Sequence, residues 1–215
     1  QSPSSRYWYW YVRPKSADDD GSKTSLEPVP WDDHTIQVIS NADMIARALN
    51  LSEELRLVIR VAARFHDLGK KRVLWQRSIG NPNPRDWLAK SGKDMRPVES
   101  TDYRHEFGSL VDLYALPEMA NDDDFRSLSE PMKDIVLHLI ASHHGRARPH
   151  FPLEEILDEE PKGQDISAIA AEIPRRFARL QNSYGRWGLA YVESILRAAD
   201  YAASASPSQK GAANV

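Results

Sequence analysis

The stretch Ala62-Ala63-Arg64-Phe65-His66-Asp67-Leu68-Gly69-Lys70 decides how this chain is read. Upstream of it, Ser52 stands where a helix cap belongs and Glu53 and Glu54 fall in the first turn. Leu55, Val58, Ile59, Ala62, Ala63 and His66 then recur at helical spacing. The stripe predicts an amphipathic helix whose last inward-facing residue is a histidine, followed at once by an aspartate. Gly69 stands where a left-handed C-terminal cap is expected. Neighbouring residues point about 100° apart on a regular helix. His66 and Asp67 therefore converge on one site most easily at a helix end.

The same pattern spreads outward. His34 opens the stripe His34, Val38, Ala42, Ile45, Leu49, with Asp32 or Asp33 as its cap. A helix is expected from about Tyr103 to Ala115 and contains His105. Pro131 suits the first turn of another, which runs to about Ser142 and ends on His143-His144-Gly145. The last helices are expected over about 167–181 and 186–203, with a break at Asn182 to Gly185. Asp200 lies on the second of these, on the stripe Leu189, Val192, Leu196, Ala199, Asp200, Ala203. No strand alternation and no internal repeat occur between these ends, so the class is all-α. Residues 78–100 hold three prolines, two glycines and Trp87 and read as a long loop. Gly145 to Gln164 reads as another, and Asn121 to Asp124 as an acidic turn.

Three parts follow. Residues 1–30 form an irregular segment. Its aromatic cluster, Tyr7 to Tyr11, is an edge strand or a docking segment, and Asp18 to Ser22 is a polar turn or linker. Residues 31–204 form one domain, and 205–215 a flexible tail rich in Ser, Ala, Pro and Gly. The chain opens on Gln1 rather than Met, as a segment of a longer protein would. With 215 residues it needs no second domain, and a chain of that length buries roughly 70% of its unfolded surface without a staple. Cysteine is absent. That excludes thiolate metal sites, cysteine nucleophiles and disulfides, and fits a reducing cytoplasm. A net charge of −3 gives no general pull on a polyanion, so nucleic-acid binding would rest on local patches or bound cations. No apolar run approaches the ~20 residues of a membrane span.

The chemistry lies in His34, His66, Asp67, His105, His143, His144 and Asp200, a set that takes five of the seven histidines. Singly, each has an ordinary reading. His34 suits a helix start or a core, His105 a solvated surface, and Asp200 a salt bridge to Arg197 or a buried hydrogen-bonded acid. Together they are a metal set. A carboxylate buried among alanines and leucines is costly unless paired or metal-bound. Neutral imidazoles with carboxylates suit Mn, Fe, Co, Ni or Zn. Seven ligands exceed the need of one ion but serve two ions sharing a carboxylate, the arrangement that activates water and neutralises phosphate in an in-line displacement. His138, inside an apolar run, is structural or exposed; His150, in a proline-flanked loop, has no role.

Basic residues interleaved with aromatics suit single strands. Lys70, Lys71, Arg72 and Arg77 surround Trp75, and Arg146 and Arg148 follow the histidine pair. Arg175, Arg176 and Arg179 precede Tyr184 and Trp187. The ordinary alternative is a solvated arginine face with tryptophans in the core.

In the order His34, His66-Asp67-Leu68-Gly69-Lys70, His105, His143-His144-Gly145 and Asp200, the chain resembles the HD nuclease domain of the type I CRISPR-associated nuclease-helicase. The segments Ala-Ala-Arg-Phe-His-Asp-Leu-Gly-Lys, Tyr-Arg-His-Glu-Phe-Gly-Ser-Leu, Ala-Ser-His-His-Gly-Arg and Arg-Ala-Ala-Asp-Tyr-Ala-Ala-Ser carry the likeness, from about Trp31 to Ser204. The resemblance implies an HD-domain helical bundle with long loops around a central metal site. It implies two divalent transition-metal ions (Mn, Fe, Co or Ni). His34, His66, Asp67 and Asp200 would hold one; Asp67, His105, His143 and His144 the other; Asp67 would bridge. Asp67 and Lys70 would be catalytic, with Lys70 near the scissile phosphate and Lys70, Lys71, Arg72 and Arg146 contacting substrate.

The implied activity is metal-dependent nuclease hydrolysis of DNA phosphodiester bonds, preferentially single-stranded, in the antiviral defence of a prokaryotic cytoplasm. The implied partners are a helicase, fused or separate, and the CRISPR target-recognition complex, with no membrane. No phosphate-binding Gly-x-x-x-x-Gly-Lys-Ser/Thr loop occurs, so the nuclease part alone is expected here, at the C-terminal end of a helicase. The loop at 75–100 is a departure from the family's pattern. The alternative is an HD phosphohydrolase of nucleotides or cyclic nucleotides. Its one-ion versions have no use for His105 and His143-His144, and the Gly-Tyr-Pro signature of cyclic-dinucleotide enzymes is absent. A decayed, non-enzymatic module is the third reading, and the intact ligand set speaks against it.

Overall fold

Helix-forming signals take hold where the chain leaves a short extended start. The computed structural model describes residues 24–81, 83, 85–98, 101–115, 122–157 and 165–205. The aromatic cluster, the Asp18 to Ser22 turn and the tail beyond Ala205 lie outside the described residues. Strands β1 (Thr24–Ser25) and β2 (Val29–Pro30) precede α1 (Trp31–Ala48). Pro30, not an aspartate, stands at the cap position of α1. Asp32 and Asp33 lie inside its first turn, where they oppose the positive end of the helix dipole.

Helix α2 (Glu53–Phe65) starts as its sequence demands. The Ser52 hydroxyl accepts from the Leu55 amide at 3.3 Å, and Glu53 and Glu54 fill the first turn. After α2 the chain tightens into a 3₁₀ turn over Leu68–Lys71, followed by the short α3 (Val73–Ser78). Gly69 is not a left-handed cap. It lies within that turn, and positive φ among the described glycines occurs at Gly80, Gly145 and Gly185.

The 78–100 region is more ordered than a loop. Strand β3 (Leu88–Gly92) sits between β1, to which it is parallel, and β2, to which it is antiparallel. Gln76, almost fully buried, holds it in place: its Nε2 donates to the carbonyls of Leu88 (2.9 Å) and Lys70 (2.6 Å), and its Oε1 accepts from the Leu88 amide at 3.2 Å. Strands this short carry no alternation to read, and a buried glutamine has no periodic signature. Part of the irregular 1–30 segment thus belongs to the domain's sheet.

The bundle is completed by α4 (His105–Ala115), α5 (Asp123–Ser127, capped by Asp122), α6 (Glu130–Ser142) and α7 (Ile166–Ala205). Pro131 does open α6, and a second 3₁₀ turn covers Leu153–Glu155. Helix α7 breaks at Gly185, whose φ of 67° and ψ of 172° leave helical space where Asn182 to Gly185 predicted a break. Val38, Ile59, Ala62, Leu110, Leu139 and Leu196 join α1, α2, α4, α6 and α7 in one core. The architecture is all-α apart from the small sheet packed beside α1. Among the described residues no helix is long and apolar enough to cross a membrane.

Candidate metal centre

Five helices direct their donors to one place. His34 comes from the first turn of α1, and His66 terminates α2 with Asp67 just beyond it. His105 opens α4, His143 terminates α6 with His144 following, and Asp200 comes from the last part of α7. Both adjacent pairs leave their helices, as the 100° argument requires. Asp67 has φ −104° and ψ 14°, which swings its carboxylate away from the direction α2 would impose. His105 is 1% exposed, so its solvated-surface reading does not hold.

The donors form two groups. Ligand atoms of Asp67, His105, His143 and His144 lie within 4.8 Å of one another, as do those of His34, His66 and Asp200. Asp67 faces both. Its Oδ1 is 3.1 Å from His105 Nε2 and 3.5 Å from His143 Nε2. Its Oδ2 is 3.5 Å from His34 Nε2 and 3.4 Å from His66 Nε2. His34 Nε2 also lies 3.1 Å from Asp200 Oδ1.

The tautomers are set by the helices themselves. His66 Nδ1 donates to the Ala63 carbonyl and His143 Nδ1 to the Ile140 carbonyl, each at 2.8 Å. Each Nε2 then presents a bare lone pair. His143 Nε2 faces His105 Nε2 at 3.3 Å as well as Asp67 Oδ1. His66 Nε2, fully buried, has no hydrogen-bond partner among the described residues. Lone pairs and carboxylate oxygens crowded together in a dry site repel one another, and a shared cation removes that repulsion. The donor set therefore fits divalent metal, with nitrogen and oxygen ligands and no sulfur.

The electrostatics agree. Burial lowers the pKa of His66 against the raising pull of Asp67 and Asp200. Burial, then the neighbouring His144, hold His143 well below the usual imidazole range. Burial would raise Asp67, but its surroundings, with the Lys70 ammonium 2.7 Å from Oδ2, outweigh it and keep the carboxyl well below its ordinary value. Asp200 is lowered in the same way, against burial, by His34 and His66. Neutral imidazoles and ionised carboxylates are the forms a metal takes.

The expected substrate residues separate. Lys70 is 3% exposed, with Nζ 2.7 Å from Asp67 Oδ2, so it is part of the buried centre. Lys71 is half-buried, its Nζ 3.7 Å above the Trp31 ring. Arg146 is exposed and near Glu155 at 3.6 Å. Arg72 must be withdrawn from the substrate-facing set. It is 2% exposed, and its guanidinium grips Asp112 through Nε at 3.1 Å and Nη2 at 2.7 Å, tying α3 to α4. Trp75 is core, so it offers no stacking face there, whereas Trp187 is exposed. Arg176 is buried against Asp134, and Arg179 pairs with Asp134 and Glu172. His138 is structural, bonded to Glu193 at 2.7 Å, and His150 is exposed.

A family model described as "Cas3, HD domain" matches residues 30–209. The chain belongs to this family. No curated protein and no solved structure matches it. The Cas3 HD domain is a metal-dependent hydrolase domain of type I CRISPR systems. In this Cas3 HD domain the match opens one residue before α1 and takes in all seven convergent side chains.

Residues around the donors escaped the sequence reading. Trp31 Nε1 donates to the Asp67 carbonyl at 2.8 Å. Glu106, fully buried, places Oε2 3.5 Å from His105 Nδ1, a carboxylate on the outer side of an imidazole. Ser109 binds the Gly69 amide at 2.8 Å. Glu106 and Ser109 lie in the Tyr-Arg-His-Glu-Phe-Gly-Ser-Leu segment, but pairing across helices has no one-dimensional signal.

Gly69 has a different reason from the predicted one. A Cβ there would stand 2.1 Å from the His105 carbonyl oxygen and 2.6 Å from the Ser109 amide. Both are backbone atoms, so relief requires moving α4 away from the Asp67 turn. Gly69→Ala should give protein with a melting temperature lower by roughly 10 °C or more, or no folded protein, as for overpacking of several kcal/mol. A thermal melt monitored by circular dichroism checks this, and an unchanged midpoint would contradict the close approach.

Proposed function

We propose that this chain is a two-metal nuclease that hydrolyses DNA phosphodiester bonds, with a preference for single strands, in type I CRISPR interference. A helicase, fused or separate, and the target-recognition complex would deliver the strand. One observation carries the reading: the two oxygens of Asp67 face two different donor groups. His34, His66, Asp67 and Asp200 would hold one divalent ion, and Asp67, His105, His143 and His144 the other. Such a pair, when bound, supplies Lewis-acid activation of water and neutralises phosphate charge.

The chain's own groups do the rest. The Ala63 and Ile140 carbonyls orient His66 and His143. Lys70 holds positive charge beside Asp67, within the buried centre, where it would meet a phosphate oxygen. The donors are recessed, from 0% to 2% exposed at His34, His66, Asp67, His105 and His143. A flexible single strand reaches such a site more readily than a rigid duplex. With a net charge of −3, binding rests on the metals plus Lys71 and Arg146, so it should weaken steeply with salt.

The test is cleavage of single-stranded DNA, blunt duplex DNA and a panel of nucleotides, with Mn²⁺ and with chelator. Single strand should be cut fastest and only with metal. Duplex cut equally fast without end fraying would remove the single-strand preference. Hydrolysis of nucleotides alone would replace the nuclease reading with a nucleotide phosphohydrolase. In the same assay, Lys71→Ala with Arg146→Ala should weaken DNA binding about 3- to 30-fold, the loss of one or two phosphate contacts, and leave bis-p-nitrophenyl phosphate hydrolysis nearly unchanged. A parallel fall in both activities would place these residues in the reacting centre instead.

A further inference from the structure

Ser109 is fully buried on α4, one turn beyond His105. Its Oγ lies 2.8 Å from the Gly69 amide, 2.7 Å from the His66 carbonyl oxygen and 2.9 Å from the His105 carbonyl oxygen. A hydroxyl has one proton to give and lone pairs to accept with. It accepts from Gly69 N–H and donates its proton to one of the two carbonyls. Bonding back to the carbonyl four residues earlier is a common habit of a helical serine, and it accounts for the His105 contact alone. The contacts to His66 and Gly69 run to a different segment, the turn that carries Asp67. His66 belongs to the three-residue donor group and His105 to the four-residue group. One hydroxyl thus touches the backbone of a donor from each group and of the turn between them. Gly69, lacking a Cβ, is what lets that turn come so close.

We propose that Ser109 is a positioning residue of the metal centre, setting the separation of the two donor groups so that Asp67 reaches both. The inference rests on the dinuclear reading above. A serine that merely packed α4 would affect melting and leave the ions alone. A positioning serine changes how the second ion binds and how the two ions sense each other.

The experiment compares wild type with Ser109→Ala as the purified 215-residue chain. It follows Mn²⁺ binding by titration, the electron paramagnetic resonance of the loaded protein, kcat and KM for bis-p-nitrophenyl phosphate, and the melting midpoint in chelator. Wild type should bind two equivalents and show an exchange-coupled signal. The variant should bind its weaker equivalent about 10- to 100-fold less tightly, the usual cost of losing a group that orients a ligand. The coupled signal should be diminished, and kcat should fall with KM little moved. Equal Mn²⁺ affinity and an unchanged signal overturn the proposal, whatever happens to the melting midpoint. If Ser109→Ala does not fold, Ser109→Cys, similar in size with a weak donor, carries the same readouts with a smaller expected change. A wild-type plateau at one equivalent overturns the dinuclear reading by itself, whereas the ratio of variant to wild-type affinity decides the role of Ser109.

Discussion

Asp67→Ala should reduce metal-dependent phosphodiester hydrolysis about 100-fold or more, beyond the 10- to 100-fold typical of losing a residue that only orients a ligand. The reason is geometric. Among the described residues, Asp67 is the one carboxylate within 3.5 Å of imidazoles from both donor groups. Its removal leaves His34, His66 and Asp200 as one cluster and His105, His143 and His144 as another, with nothing shared. It also strips Lys70 of a carboxylate 2.7 Å away in a buried setting. Asp67→Asn is therefore the companion variant, because it preserves volume while removing the charge. Asp67 lies in the turn after α2 and outside every helix, and the helices draw on a core that includes Val38 and Leu196, so circular dichroism should remain helical. Activity above about one tenth of wild type in a folded, metal-loaded variant would contradict the bridging role, since a residue acting in the transition state costs more than that.

Metal loading should produce the second large effect. Elemental analysis after Mn²⁺ loading should approach two equivalents, and chelation should abolish hydrolysis. The same ions should stabilise the fold. An ion at a hundred times its dissociation constant adds about 2.7 kcal/mol per site, and a chain of this size gains about 2–4 °C per kcal/mol, so two sites raise the melting midpoint by about 10–20 °C. The lone pairs of His66 and His143 that crowd Asp67 in the metal-free protein are the source of that gain. A plateau at one equivalent with His105 and His143 dispensable would leave a mononuclear centre. An unmoved midpoint at saturating Mn²⁺ would show that the cluster holds no ion at all.

Most of the bundle could be read from local chemistry. Ser52 as a cap, Pro131 at a helix start, and the helical recurrence of Leu55, Val58, Ile59 and Ala62 each act over one or two turns, and the structure shows each in place. The break before Arg186 was legible for the same reason, because Gly185 alone tolerates φ 67° without a Cβ penalty. The three-stranded sheet was not. Two-residue strands have no period, and β1 pairs with β3 across some sixty intervening residues.

The candidate donors that the structure brings together were also legible. His34, His66 and Asp200 each extend an apolar stripe, and a polar group on such a stripe calls for a partner. What the amino-acid order alone determined was the class, the starts of α2 and α6, the break at Gly185 and the identity of the seven candidate ligands. Only the tertiary structure decided that Asp67 turns one oxygen to each donor group, that Arg72 is spent on Asp112, and that Gly69 clears a path for α4. Helix signals travel through neighbours three or four positions apart, so a single stretch of chain contains them. Partners some thirty or more positions apart meet only after burial has packed the helices, and a stretch of chain read alone holds no record of that distance.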